Sequence, residues 1–251
     1  MIVCRSQAEL EKMREAGRAL ARILEKLAAR VAPGVTTLEL EELAEGEIAA
    51  AAAAPAFKGY RGYPCVLCAS VNDEIVHGIP SERQLQRGDI VSLDLGLKLN
   101  GFYADTATTV ALEPVEPQVA QLLAVTREAL ARGVAQACAG AYLADISAAV
   151  QRHVEAAGFN VVREFVGHGI GTELHEEPQI PNYVEPGRRD RGPQLAPGMV
   201  LAIEPMVTTG SPTVRIRSDR WTAVTSDGGY AAHFEHCVAV TQNGPWILTE
   251  P

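Results

Sequence analysis

Ile90-Val-Ser-Leu-Asp-Leu-Gly-Leu-Lys-Leu99, Asn100-Gly101, Phe102-Tyr-Ala-Asp-Thr-Ala-Thr-Thr-Val-Ala111 is the stretch that decides the fold. Two runs with strand-like alternation flank Asn100-Gly101, the dipeptide that best suits a two-residue type I′ hairpin turn. If those two residues form the turn, Leu99 pairs with Phe102, Asp94 faces Ala107 and Asp105 faces Gly96. Both aspartates then lie on one face as diagonal neighbours, about 7–8 Å apart at Cα. From that separation two carboxylates can converge on metal ions about 3.5–4 Å apart. The hairpin alone leaves two readings open, a cation site or a wet polar face, because unpaired carboxylates held close together resist ionising at once.

Upstream of the hairpin, Ser6 and Glu9 form a capping box, and Leu10, Met13, Gly17, Leu20, Leu24 and Leu27 recur every three or four residues. That pattern predicts a long amphipathic helix from about residue 7, ended by Pro33-Gly34. Thr36 and Glu39 repeat the cap, and the alanine-rich run from Leu38 to Ala54 predicts a second helix ended by Pro55. Downstream the order returns, with helices predicted at about Gln118–Ala139 and Ala144–Ala157 and strand-like runs from Val161 to Val240. Each half, about 5–112 and 117–248, therefore reads helix, helix, sheet. We expect an α+β protein in which residues 1–251 form a single catalytic domain with an internal pseudo-repeat. The Arg-, Gly- and Pro-rich insert 185–197 reads as a solvated loop.

Composition narrows the function classes. The chain has 251 residues, 47% of them hydrophobic, and a net charge of −9. That balance argues against a nucleic-acid footprint. No apolar run reaches the roughly 18 residues of a membrane span, and Met1–Arg5 lacks the layout of a signal peptide. The five cysteines, Cys4, Cys65, Cys68, Cys138 and Cys237, form no dense framework and are expected to be reduced in the cytoplasm. Cys65-Val-Leu-Cys68 has CxxC spacing, but without a second pair it is not a metal cluster.

The second half adds further ligand types. His168 lies in Gly167-His-Gly-Ile-Gly171, where glycines allow close backbone approach. His175 follows in Leu174-His-Glu-Glu-Pro178, which cannot be an HExxH helix because of Pro178. Glu204 ends the apolar run Met199–Ile203, and Glu235 occupies a similar place beside His236-Cys-Val-Ala-Val240. Either glutamate alone could be a strand end reaching solvent. Together with Asp94, Asp105 and His168 they make an oxygen-rich set suited to hard or borderline divalent ions.

Several segments now fall into a familiar order: Gly59-Tyr-Arg-Gly-Tyr-Pro64, Asn72-Asp-Glu-Ile-Val-His-Gly-Ile-Pro80, Asp94 with Asp105, Gly167-His-Gly-Ile-Gly171, His175-Glu-Glu-Pro-Gln179, Ile203-Glu-Pro205 and Phe234-Glu-His236. In that order and spacing they resemble the type I methionine aminopeptidases, M24 metallopeptidases, over residues 5–247. The resemblance implies the pita-bread fold, two pseudo-symmetric halves whose helices cover a curved antiparallel sheet. It implies a cytoplasmic hydrolase that removes the initiator methionine from nascent proteins when the second residue is small. Two divalent ions (Co, Mn, Fe(II) or Zn) would be held by Asp94, Asp105, His168, Glu204 and Glu235, with Asp105 and Glu235 bridging and a hydroxide between the ions as the attacking group. Glu204 would also carry the proton to the leaving amine, His175 would donate to the developing oxyanion, and His77 would contact the substrate backbone. The methionine pocket would be Tyr60, Tyr63, Cys68, Leu174 and Trp221, beside His77 and His175. Nascent N-termini beginning with Met and the ribosome are the implied partners of a monomer with no membrane or nucleic-acid site.

The chain departs from the family at Cys65, usually polar or basic, at Leu174, often aromatic, at Phe57, a cysteine in some members, and at His233, commonly glutamine. These changes bear on pocket shape. Proline-directed pita-bread peptidases share the five-ligand pattern but usually carry a substantial N-terminal domain. Type II methionine aminopeptidases insert a long helical segment between the last two glutamates, where this chain has only a short one. A non-enzymatic pita-bread binding protein would typically have lost ligands.

Overall fold

The computed structural model describes residues 1–185, 187 and 190–251. Helix α1 spans Gln7–Arg30 and α2 spans Thr37–Ala50, each opened by the predicted capping box, Ser6 with Glu9 and Thr36 with Glu39. Each box satisfies two backbone donors that the first helical turn leaves without partners. α2 ends four residues before the predicted stop. Ala52 adopts φ 52°, and Ala53 N–H bonds Ile48 O while Ala52 N–H bonds Ala49 O. This Schellman closure releases Ala54–Pro55 to pair with the edge of the hairpin, at Leu97 and Lys98. α3 (Pro117–Val134) and α4 (Leu143–Ala156) complete the helices, and α3 also stops short of its predicted end at Ala139.

The hairpin forms in the predicted register: Leu99 pairs with Phe102, Asp94 with Ala107 and Gly96 with Asp105. Asn100 and Gly101 take φ 53° and 87°, as a type I′ turn requires. Alternation along Ile90–Leu99 sends Val91, Leu93, Leu95 and Leu97 into a core with Leu20, Leu24 and Leu27 of α1 and Leu40 and Ile48 of α2. Burying each such side chain contributes about 1.5–3 kcal/mol. The other face of the same strand carries Ser92, Asp94 and Gly96, so one strand supplies both the core and the candidate site.

A second core joins α3 and α4 to the strands of the other half, through Leu122, Leu130, Ile146 and Val150 against Leu201, Ile203, Val238 and Val240. These strands belong to an antiparallel sheet in which His236–Thr241, Val200–Ile203, Gly167–Gly169 and Glu176–Ile180 are successive neighbours. It meets the first sheet through a third apolar cluster, which packs Phe102 and Met13 with Val200, Cys237 and Ala239, and through polar contacts beside the site. Glu235 N–H bonds Ala107 O at 3.0 Å, and Thr106 Oγ1 donates to Glu235 O at 2.7 Å. Of the insert 185–197, Pro186, Arg188 and Arg189 lie outside the described residues, and with them that part of the solvated-loop reading. No helix among the described residues is long and apolar enough to cross a membrane. All five cysteines are free thiols.

Candidate active site

Ala107 is the pivot of the site. It faces Asp94 across the hairpin and bridges Glu235 from the other sheet, so the junction draws Asp94, Asp105 and Glu235 together. His168 and Glu204 come from adjacent strands of the second sheet, His168 pairing with Ala202 two residues before Glu204. One ligand atom each from Asp105, His168 and Glu235 fall within 4.8 Å of one another. Glu204 Oε1 stands 3.6 Å from His168 Nε2, and Asp105 Oδ2 stands 4.0 Å from the same nitrogen. All five residues named from the sequence thus meet around one place. Gly167 and Gly169 make the approach feasible, since a Cβ on them would lie 2.3 Å from Ala202 O and 2.2 Å from Glu177 O.

The electrostatics of this cluster call for a cation. Burial, and then the neighbouring Asp94 and Glu204 charges, push the Asp105 carboxyl well above the usual carboxylate range. Glu235 is raised in the same way, by burial and by Asp105 and Glu204. Burial lifts Asp94 to about 7 and Glu204 to about 8. Asp94 Oδ1, Asp105 Oδ1 and Glu235 Oε1 are buried without a hydrogen-bond partner. Orphaned carboxylate oxygens that converge are costly unless a positive charge satisfies them. His168 is set up to complement them. Its Nδ1 lies 2.8 Å from Gly169 O, a pure acceptor, so Nδ1 carries the proton and Nε2 turns its lone pair toward the carboxylates. Burial lowers this imidazole to about 3, so it stays neutral, as a metal ligand must be. The residues therefore fit divalent metal ions.

A cavity of about 300 Å³ opens beside the cluster. Every residue of the proposed methionine pocket lines it: Tyr60, Tyr63, Cys68, Leu174 and Trp221, together with His77 and His175. Trp221 meets the Tyr63 ring edge-on at 5.2 Å, and His77 meets Phe165 edge-on at 5.3 Å. His77 is held at φ 60°, an uncommon backbone state for a residue with a side chain. Burial lowers its imidazole to about 4, leaving it neutral. His175 stacks on Tyr60 at 5.1 Å, and its Nδ1 lies 2.9 Å from the Tyr60 hydroxyl. Its ring centroid lies 4.2 Å from that of His168, and burial lowers its pKa. Phe57, one of the departures, lines the wall too. Cys65 stays outside it, half-buried with its thiol pushed up to about 11, first by burial.

Sequence reasoning missed other contributors. Phe165, Val76 and Met206 line the cavity, with Arg61 and Glu164 exposed on its lining. Val76 and Arg61 lie inside the quoted motifs but carry no signal that aims them at the site, and Phe165, Met206 and Glu164 lie outside those motifs, so folding gathers them. Cys237 was legible in principle, because it stands two residues beyond Glu235 in an extended segment. Its Sγ donates to Asp105 O at 3.1 Å and accepts Asp105 N–H at 3.3 Å, which holds the aspartate's backbone from the neighbouring sheet. His233 is 1% exposed and lies 3.7 Å from Glu204 Oε2.

Comparison with known proteins agrees with this geometry. Residues 11–242 match metallopeptidase family M24. The chain is 50% identical over 249 residues to methionine aminopeptidase 1 of Bacillus subtilis, covering 99% of both chains. The solved methionine aminopeptidase of Thermotoga maritima superposes with a TM-score of 0.96 at 45% identity, covering 100% of each chain. Prolidase from Pyrococcus furiosus shares the fold at a TM-score of 0.79 and 21% identity, but this chain covers only 66% of it. The M24 match across nearly all the chain, and the full-length likeness to methionine rather than proline peptidases, place this protein in metallopeptidase family M24, among the methionine aminopeptidases.

Proposed function

We infer that this chain is a methionyl aminopeptidase that removes the initiator methionine from proteins whose second residue is small. The observation that carries this reading is that Asp94, Asp105, His168, Glu204 and Glu235 line one open-mouthed cavity together with apolar, aromatic and thiol side chains. Asp94, Asp105, His168, Glu204 and Glu235 would hold two divalent ions. When bound, such ions lower the pKa of a coordinated water and polarise a carbonyl. Co, Mn, Fe(II) and Zn all suit the donor set.

The chain's own residues do the rest. Glu204, whose carboxylate stands 3.6 Å from His168 Nε2, can accept a proton from the attacking water and return it to the leaving amine. His175, its Nδ1 engaged by Tyr60, presents Nε2 to the carbonyl oxygen as negative charge develops. His77, neutral and strained into place, reaches the substrate backbone near the scissile bond. Trp221, Tyr63, Cys68 and Leu174 enclose a thioether and exclude water, and sulfur–aromatic contacts add to area burial. Leu174 occupies less volume than an aromatic residue would, so this wall favours an unbranched, adaptable side chain.

We extend the proposal to a monomeric enzyme in which the whole chain is one catalytic domain, working in the cytoplasm on chains as they leave the ribosome. Sedimentation and co-pelleting with ribosomes test those points. The deciding assay supplies Met-Ala-Ser, Met-Leu-Ser and Ala-Pro peptides to metal-free and metal-loaded protein. Metal-dependent release of methionine from Met-Ala-Ser alone supports the reading. Cleavage of the Ala-Pro peptide instead assigns the site to a proline-directed peptidase, and no metal-dependent turnover leaves a binding protein.

A further inference from the structure

Arg5 stands outside every segment that forms the site, yet its side chain is only 6% exposed and its guanidinium contacts both oxygens of Glu176, the residue after His175. Glu176 Oε1 also accepts Thr172 N–H at 2.9 Å, the Thr172 hydroxyl at 3.3 Å and Glu173 N–H at 3.2 Å. One carboxylate thus closes the loop 172–176, which carries Leu174 into the pocket and His175 against Tyr60. On its other side Glu176 pairs with Gly169, the neighbour of His168, where the register shifts between His168 and Gly169. The 4.2 Å approach of the His168 and His175 rings depends on that closure.

Arg5 is itself anchored. Its N–H bonds Gly198 O at 2.7 Å, in the turn that leads into the strand ending before Glu204. Its guanidinium lies 5.9 Å from the Phe102 ring centroid and rests on Gly171, where a Cβ would come within 2.0 Å of it. A side chain at Gly171 would have to push the guanidinium off its place, so the glycine leaves room for the arginine.

We propose that Arg5 and Glu176 are positioning residues for the reaction: the N-terminal strap clamps the loop 172–176 and so fixes the His175 imidazole and the Leu174 wall relative to the metal ligands. This rests on the function proposed above. A carboxylate held by one buried guanidinium nitrogen, Nη2, that reaches both of its oxygens and by two backbone N–H groups is a more rigid support than the backbone donors alone. Small misplacements of a reacting group lower turnover by up to about a hundredfold. Because His175 acts as charge develops on the carbonyl, its displacement lowers kcat more than it raises KM.

The test compares Arg5→Met, Arg5→Lys and the neutral pair Arg5→Met/Glu176→Gln in full-length, zinc-loaded enzyme. Zinc content and circular dichroism are matched to wild type. The expected result is a kcat on Met-Ala-Ser lowered about 10–100-fold in Arg5→Met with KM within about threefold, and substantial recovery in Arg5→Lys. Should Arg5→Met not fold, the neutral pair, which leaves no uncompensated charge, carries the same comparison. Histidine-selective ¹⁵N spectra follow His175 directly: its signals should shift or broaden in Arg5→Met and return in Arg5→Lys, while His153 on α4 stays unmoved. That spectrum reads the clamp even if the wild type cleaves no methionyl peptide, which separates failure of this inference from failure of the assigned activity. Folded variants with wild-type kcat and an unchanged His175 signal would overturn the proposal, as would a loss of activity that merely tracks lost zinc.

Discussion

Glu41 and Glu235 are both buried carboxylates, 7% and 2% exposed, yet their surroundings are opposite. Each Glu41 oxygen accepts a backbone N–H at 2.8 Å, from Val66 and from Leu67. Burial raises its pKa while those two hydrogen bonds oppose the rise. Glu74 is similar, with Val71 N–H and the Arg217 and Arg83 guanidiniums opposing burial. At Glu235 the neighbours reinforce burial instead, because Asp105, Glu204 and Asp94 all add negative charge and one oxygen has no partner. A carboxylate that the protein satisfies by itself holds structure together. One surrounded by its own kind stores a demand that only a cation meets.

The sharpest way to break this comparison is to alter the unsatisfied set. Glu204→Gln removes a charged ligand and the proton carrier together, and kcat on Met-Ala-Ser should fall at least about 10³-fold while circular dichroism stays native. Activity within tenfold of wild type would sink the role assigned to Glu204. Asp105→Asn should lose turnover to a similar extent and also lose bound metal, measured by elemental analysis after dialysis.

A smaller effect concerns stability and pH. Burial raises the folded-state pKa values of Asp94 and Glu204 to about 7 and about 8 from ordinary carboxylate values of 3.8 and 4.5. A raised pKa adds stability that is complete below the unfolded value and is lost as pH rises through the folded one. Metal-free protein should therefore lose stability between about pH 4 and pH 8, by about 1.4 kcal/mol per pH unit for each proton released. Metal should abolish the trend. Denaturant midpoints at pH 5 and pH 8, with and without chelator, check this, and a metal-free protein equally stable at both would refute it.

The smallest effect belongs to the satisfied set. Glu41→Gln turns an amide N–H₂ toward the N–H of Val66 or Leu67, losing one hydrogen bond, and should cost about 1–3 kcal/mol. The expected kcat is unchanged within about twofold with metal present. A loss of turnover comparable to that of Asp105→Asn would erase the distinction between the two kinds of carboxylate.

How much could be read beforehand differs along the chain. The hairpin register followed from Asn100-Gly101, because a two-residue turn leaves no freedom in pairing and alternation then fixes the face of Asp94 and Asp105. Capping boxes placed both helix starts in the first half, since a cap is a local hydrogen-bond pattern. Helix ends were less legible: Ala52 closes α2 in a conformation that nothing in an alanine run signals. The histidine and glutamate ligands were suggestive one at a time and acquired meaning through the order of the motifs. Phe165 and the Arg5–Glu176 clamp were out of reach, because each acts on a partner distant in the sequence.

By itself, then, the order of residues determined the elements, the hairpin register and the chemical type of the site, since all of these depend on turn preference, periodicity and donor chemistry within short spans. The tertiary structure alone decided that Ala107, already opposite Asp94 in the hairpin, would also meet Glu235, that an oxygen of each of three carboxylates would be left without a partner, and that Arg5 would contact Glu176 beside His175. Those outcomes depend on how two separately packed sheets meet, and that meeting is set by the bulk of two hydrophobic cores rather than by any local pattern.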